Sequence, residues 1–97
     1  MKAIFISCNQ ALYDEVQQKM ASLGVRGYTS WEELMGAGMA TGEPHLGSTT
    51  WPTLNSAILT FVEDDKCQPL LAQLKQLDEA NPQLGLRAFW WEVGGTL

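Results

Sequence analysis

The chain has 97 residues, enough for one domain spanning 1–97 and no more. Apolar residues make up 45% of it and charged residues 18%, which fits a globular protein and excludes the disordered class. A formal net charge of −5, with six scattered Lys and Arg residues, excludes the basic footprint of a nucleic-acid binder and disfavours an anionic membrane surface. The apolar run after Met1 is too short for a secretory signal, and no stretch reaches the length of a membrane span. The expected location is therefore the cytoplasm, without membrane insertion. Cys8 and Cys67 are then expected as reduced thiols, and they fit no metal-ligand spacing.

Ala3 to Cys8 is apolar and β-branched and reads as a strand that stops at Asn9, a plausible N-cap. Leu12, Val16, Met20 and Leu23 recur at helical spacing, with polar residues on the other faces. Gly24 follows where a left-handed C-cap is usual. Val25 to Leu34 reads as a second strand. Met35 to Pro52 is rich in Gly, Ser, Thr and Pro and has no apolar period, so it reads as a long loop. Such a loop is uncommon in a small domain and is usually functional. Leu54 to Val62 is a third strand. Asp64 and Asp65 can cap and charge a second helix, with Pro69 in or near its first turn. Leu70, Leu74 and Leu77 form the apolar stripe of that helix, and Asn81-Pro82 ends it. Leu86 to Val93 is the fourth strand.

The order β-α-β-β-α-β predicts an α+β, ferredoxin-like sandwich: a four-stranded antiparallel sheet with both helices on one face. In a monomer the other face should be polar. The strands do not alternate that way. Ala3 to Ile6, Ala57 to Leu59, and Ala88 to Trp91 are consecutive apolar runs. Both faces must be buried, and further copies of the chain are the available cover, as in a closed ring.

Few residues point to chemistry. The glycines of Gly36-Ala37-Gly38-Met39-Ala40-Thr41-Gly42 permit close approach of a ligand, but the spacing is not that of a dinucleotide fingerprint and no helix follows. A flexible connector is the plainer reading. His45 is the only histidine. One histidine cannot build a metal site in one chain, although three copies could meet on a trimer axis. The plainer reading is a solvated loop histidine. Cys67 opens the second helix, where a thiol pKa can be lowered, but buried structural cysteine is the default for it and for Cys8. Trp90 and Trp91 point to opposite faces of their strand, one under the helices and one at an interface. Trp31 and Trp51 flank the long loop as a clamp or a stacking surface. Asp78-Glu79 reads as a solvated helix end. No nucleophile is paired with a base, so no catalytic residue is assigned and an enzyme is not expected.

Gly24-Val25-x-Gly27-Tyr28-Thr29, then Glu33-Leu34-Met35-Gly36-Ala37-Gly38 and Gly42, resembles the PII-type nitrogen regulatory (signal transduction) proteins. The match needs about one extra residue between Thr29 and Glu33. Leu54 to Leu77, with the acidic junction Glu63-Asp64-Asp65, resembles that family's third strand and second helix. The resemblance implies a homotrimer whose sheets line a central barrel. It also implies a T-loop, here 35–52, that docks on a membrane transporter or a metabolic enzyme. An adenine nucleotide (ATP, ADP or AMP) would bind at the clefts between subunits. By the same likeness Gly36, Ala37 and Gly38 sit at the cleft and Arg87 meets an anion. Met39, Thr41, Glu43, His45 and Trp51 would form the partner-binding part of the loop. The chain departs from the family in carrying Met39-Ala40-Thr41 for Arg-Gln-Lys, and Gln83-Leu84-Gly85-Leu86-Arg87 for the phosphate loop. The loop also has no tyrosine, and the segment that closes over the nucleotide in that family is expected to be absent. Two other readings remain open. One is a trimeric divalent-metal-binding module resembling the CutA copper-tolerance family, supported by His45 and nearby acidic residues. The other is a small dimeric ferredoxin-like oxygenase, disfavoured by the apolar helix-facing positions.

Overall fold

A computed structural model describes residues 1–37, 44–45 and 54–97. The chain runs β1 (Lys2–Asn9), a 3-10 turn (Gln10–Leu12), α1 (Tyr13–Ser22), β2 (Tyr28–Leu34), β3 (Gly36–Ala37), β4 (Pro44–His45), β5 (Asn55–Val62), α2 (Asp64–Ala80) and β6 (Arg87–Glu92). Four strands form one sheet in the order β2-β5-β1-β6, with every neighbouring pair antiparallel. This is the expected ferredoxin-like arrangement. The two longest strands lie at the centre and the two helices pack on one side.

The first helix is framed by local chemistry. The Asn9 side chain accepts from the Ala11 N–H at 2.8 Å, which starts the 3-10 turn. At the far end the Gly24 N–H donates to the Ala21 carbonyl at 3.0 Å, and the Val25 N–H donates to the Met20 carbonyl at 2.9 Å. That pair of bonds is a Schellman cap, and Gly24 adopts the left-handed φ of 75° that it requires. Val25 and Met20 are both buried beside it. Closing the helix occupies Val25, so β2 begins at Tyr28 and not at Val25 as the apolar pattern implied.

Side chains of alternate residues separate cleanly between the two faces. Ile4, Ile6, Cys8, Ile58 and Val62 meet Leu12, Val16 and Met20 of the first helical segment and Cys67, Leu70, Leu74 and Leu77 of α2 in a single core. Two fully buried hydroxyls are satisfied within it. Ser56 donates to the Glu32 carbonyl at 2.7 Å and Thr60 to the Gly27 carbonyl at 2.6 Å. The opposite face carries Phe61, Phe89, Trp91 and Trp31, each 42–59% exposed. Ala3 lies between Phe61 and Trp91 in the register and is fully covered by its surroundings.

Three expectations are corrected. Pro69 is not in the first turn of α2 but at its sixth residue, inside the helix. There it removes the bond to the carbonyl of Asp65, and the buried leucine stripe on either side holds the helix together. Neither Asp64 nor Asp65 caps α2. The N-cap is Glu63, without a side-chain cap bond, and Asp64 instead pairs with the α-ammonium of Met1 at 2.8 Å. Finally, the 35–52 segment is not wholly irregular. Gly36 pairs with His45 and Ala37 with Pro44 in a two-stranded ladder, too short to leave an apolar period in the sequence.

Met1, Lys2, Asp64 and Glu92 form an exposed charge cluster that ties the start of β1 to α2 and β6. The α-ammonium lies 3.6 Å from Glu92, and Lys2 donates to the same carboxylate. The hydrogen bond from the α-ammonium holds the Asp64 carboxyl below its ordinary value, and the bond from Lys2 does the same for Glu92. Their reciprocal partners are shifted upward. A carboxylate with a depressed folded pKa stabilises the fold above its unfolded pKa and loses that contribution as pH falls through the folded value. Wild type is therefore expected to lose thermal stability between about pH 5 and about pH 3 more steeply than Asp64→Asn/Glu92→Gln, measured by melting midpoint across that range. Parallel curves for the two proteins would refute this assignment.

Candidate functional site

The candidate ligand residues fall at one end of the sheet, where β1 and β2 finish and β5 and β6 begin. Gly36 and Ala37 follow β2 directly. Arg87 opens β6, level with Ser7. The two groups occupy opposite edges of the sheet. Three strand spacings separate those edges, roughly 14 Å at the ordinary interval. A single small anion cannot touch both.

The β2 edge is shaped by a bulge. Trp31 pairs with Ala57 and Leu34 with Asn55, so β2 spends three steps where β5 spends two. The surplus residue turns the Glu32 carbonyl toward Ser56, and Gln10 also reaches that carbonyl at 3.4 Å. The bulge aims the chain into the 35–52 segment. Glycine at 36 has a local cause as well. A Cβ at Gly36 would collide with the amide of Asn55. A side chain at position 36 would thus have to displace the Asn55 amide, independently of any ligand.

At the β6 edge, Arg87 is held in place. Its guanidinium donates to the Leu86 carbonyl at 2.7 Å and lies 3.7 Å from the Asp78 carboxylate of α2. The group remains about half exposed. A positioned guanidinium of this kind can meet an anion with less loss of side-chain freedom than a free one. Sequence reading missed the role of Asp78, which it took for a solvated helix end.

The remaining candidates divide. His45 enters β4 through its backbone pairing with Gly36. Gly38, Met39, Thr41, Glu43 and Trp51 lie outside the described residues. Among the described residues, no group of three His, Cys, Asp or Glu side chains is placed to hold a metal, and no helix is long and apolar enough to cross a membrane. Both thiols belong to the core. Burial pushes the Cys8 thiol up to about 11, and burial also raises that of Cys67 despite its place in the first turn of α2.

The fold and this end-of-sheet arrangement define a ferredoxin-like α+β domain with a segment inserted between its second and third sheet strands. No family model matches the chain, and no curated protein matches it significantly. Solved structures do. CPII, a nitrogen regulatory PII-like protein from Thiomonas intermedia K12 solved with ADP, AMP and bicarbonate, superposes with a TM-score of 0.73. The identity is 22%, over 97% of this chain and 88% of CPII. The apo form of CPII gives a TM-score of 0.67 at 18% identity, over 98% of this chain and 92% of that one. A protein from Thermus thermophilus assigned to PII-like signalling gives 0.68 at 22%, over 95% and 85%. The chain has the fold of the PII-like proteins along nearly its full length.

Two outcomes follow. Gly36→Ala is expected to cost about 1–3 kcal/mol in denaturant unfolding, the ordinary range for overpacking. Adding Asn55→Ala should recover most of it, giving a large non-additive term; additive losses would show that Asn55 is not the obstacle. Separately, both cysteines should resist a disulfide reagent at about pH 7.5 until the protein unfolds. Rapid labelling of either thiol in the folded protein would contradict their burial.

Proposed function

We propose that this chain is a divergent PII-like regulatory protein, acting by binding and not by catalysis. In this reading it is a cytoplasmic homotrimer. It takes an adenine nucleotide at subunit clefts lined by Gly36, Ala37, Gly38 and Arg87. The segment 35–52, including Met39, Thr41, Glu43, His45 and Trp51, meets a membrane transporter or metabolic enzyme.

The observation that carries this reading is the fold likeness to CPII, solved with ADP, AMP and bicarbonate, joined to the uncovered aromatic face. Four half-exposed aromatics on one face are worth about 2 kcal/mol each if they leave water. Assembly through that face would also bring the β2 edge of one copy toward the β6 edge of another. The two halves of the candidate site then have a means of meeting that a single chain lacks. Arg87 supplies the cation for a phosphate, which agrees with a nucleotide better than with a metal ion.

The test combines mass and ligand binding. Light scattering should give the mass of three chains for wild type and of one chain for Phe89→Glu/Trp91→Glu. ADP or AMP, with and without bicarbonate, should raise the wild-type melting midpoint, since a hundredfold excess over Kd contributes about 2.7 kcal/mol. Arg87→Ala should weaken that shift without changing the mass. A wild-type monomer, or a trimer whose midpoint no nucleotide moves, would overturn the reading.

A further inference from the structure

A concavity lies on the helix-covered side of the sheet and reaches Arg87 at the loop end. It is an open groove of about 630 Å³ between α2 and β6, within the size range of small-ligand sites. Its α2 wall comes from a stripe adjacent to the buried one. Gln68, Leu71, Lys75 and Asp78 recur at helical spacing beside Cys67, Leu70, Leu74 and Leu77. Its β6 wall is made by Ala88 and Trp90.

Trp90 is anomalous in its position. It pairs with Ile4 and shares the helix-facing side of the sheet. Ile4 is fully buried, whereas Trp90 remains 51% exposed. The cause is steric. Ala72 on the α2 wall and Ala88 beside it on β6 are too small to cover an indole. A large planar ring therefore borders an unfilled space with apolar walls.

The groove also has a polarity. Lys75 stands on its α2 wall and forms no ion pair among the described residues. Asp78, the acidic member, is already faced by Arg87 at 3.7 Å. The groove thus holds two cations, Arg87 at the loop end and the ammonium of Lys75 on the α2 wall, next to Leu71 and one helical turn or less from Ala72.

We propose that the α2–β6 groove binds a planar aromatic ring carrying one anionic group. The ring stacks on the Trp90 indole over Ala72 and Ala88, and the anion meets the Lys75 ammonium. Stacking on an aromatic face together with a single charge pair is a common basis for recognising such compounds. The groove shares Arg87 with the candidate cleft of the loop end, but the two contacts proposed here, Trp90 and Lys75, are not cleft residues.

The experiment uses full-length protein carrying 5-fluorotryptophan. Its four tryptophans give four fluorine resonances, assigned by single Trp→Phe substitutions. The probe is 1-naphthoate, with 1-naphthylmethylammonium as the charge-reversed control. The expected result is a saturable shift of the Trp90 resonance by 1-naphthoate, with Trp31 and Trp91 unmoved. Lys75→Glu should weaken that binding by up to about fivefold and favour the cationic probe. Ala72→Phe fills the groove and should abolish the shift. Ala72 is exposed, so the variant should fold, as its melting midpoint can verify. The proposal is overturned by any of four results: an unmoved Trp90 signal, equal response to both probes, an equal shift at Trp91, or an unchanged shift in Ala72→Phe. An unmoved signal would fit a second copy of the chain covering the groove.

Discussion

The central sheet presents apolar side chains on both of its faces, and the two helices can cover only one. Every antiparallel pairing in the sheet enforces this. Ile4, Ile6 and Ile58 point to the helices, so the register places Phe61, Phe89 and Trp91 on the other side. A one-residue slip would exchange the two sets and leave the helices over the wrong face. The fold is therefore fixed in register by its core, and the same register commits it to an uncovered aromatic surface. Exposed apolar patches of this kind are a mark of interaction sites.

That constraint also organises the candidate site. Gly36 and Arg87 lie at the same end of the sheet but on opposite edges, because β2 and β6 are the outermost strands. The bulge in β2 and the Asp78–Arg87 contact position each half locally. A neighbouring copy, brought in by the aromatic face, is the simplest agent that could join them. Assembly and ligand binding would then be parts of one design, and loss of the first would weaken the second.

Much of this was legible in the residues. The two helices, the four main strands and their order follow from apolar spacing, from the Gly24 cap and from the Asn81-Pro82 stop. The greasy second face was visible as consecutive apolar runs, because a strand with one wet face alternates and these do not. Other features were hidden for physical reasons. The ladder between Gly36–Ala37 and Pro44–His45 is two residues long on each side and has no period to detect. Asp64 looked like a cap, but its partner is the α-ammonium at the start of β1, a contact between residues distant in sequence. The crowding at Gly36 comes from Asn55, on another strand, and no local pattern encodes it.

Solvent protection of the aromatic face tests the account most directly. Hydroxyl-radical footprinting reads the side chains of Phe61, Phe89 and Trp91 one by one in native protein. The account predicts that they react much more slowly than in the unfolded chain, and that protection falls together at all three on dilution. Labelling of all three in the native protein at the rate of the unfolded chain would mean that the face is wet, and would contradict it.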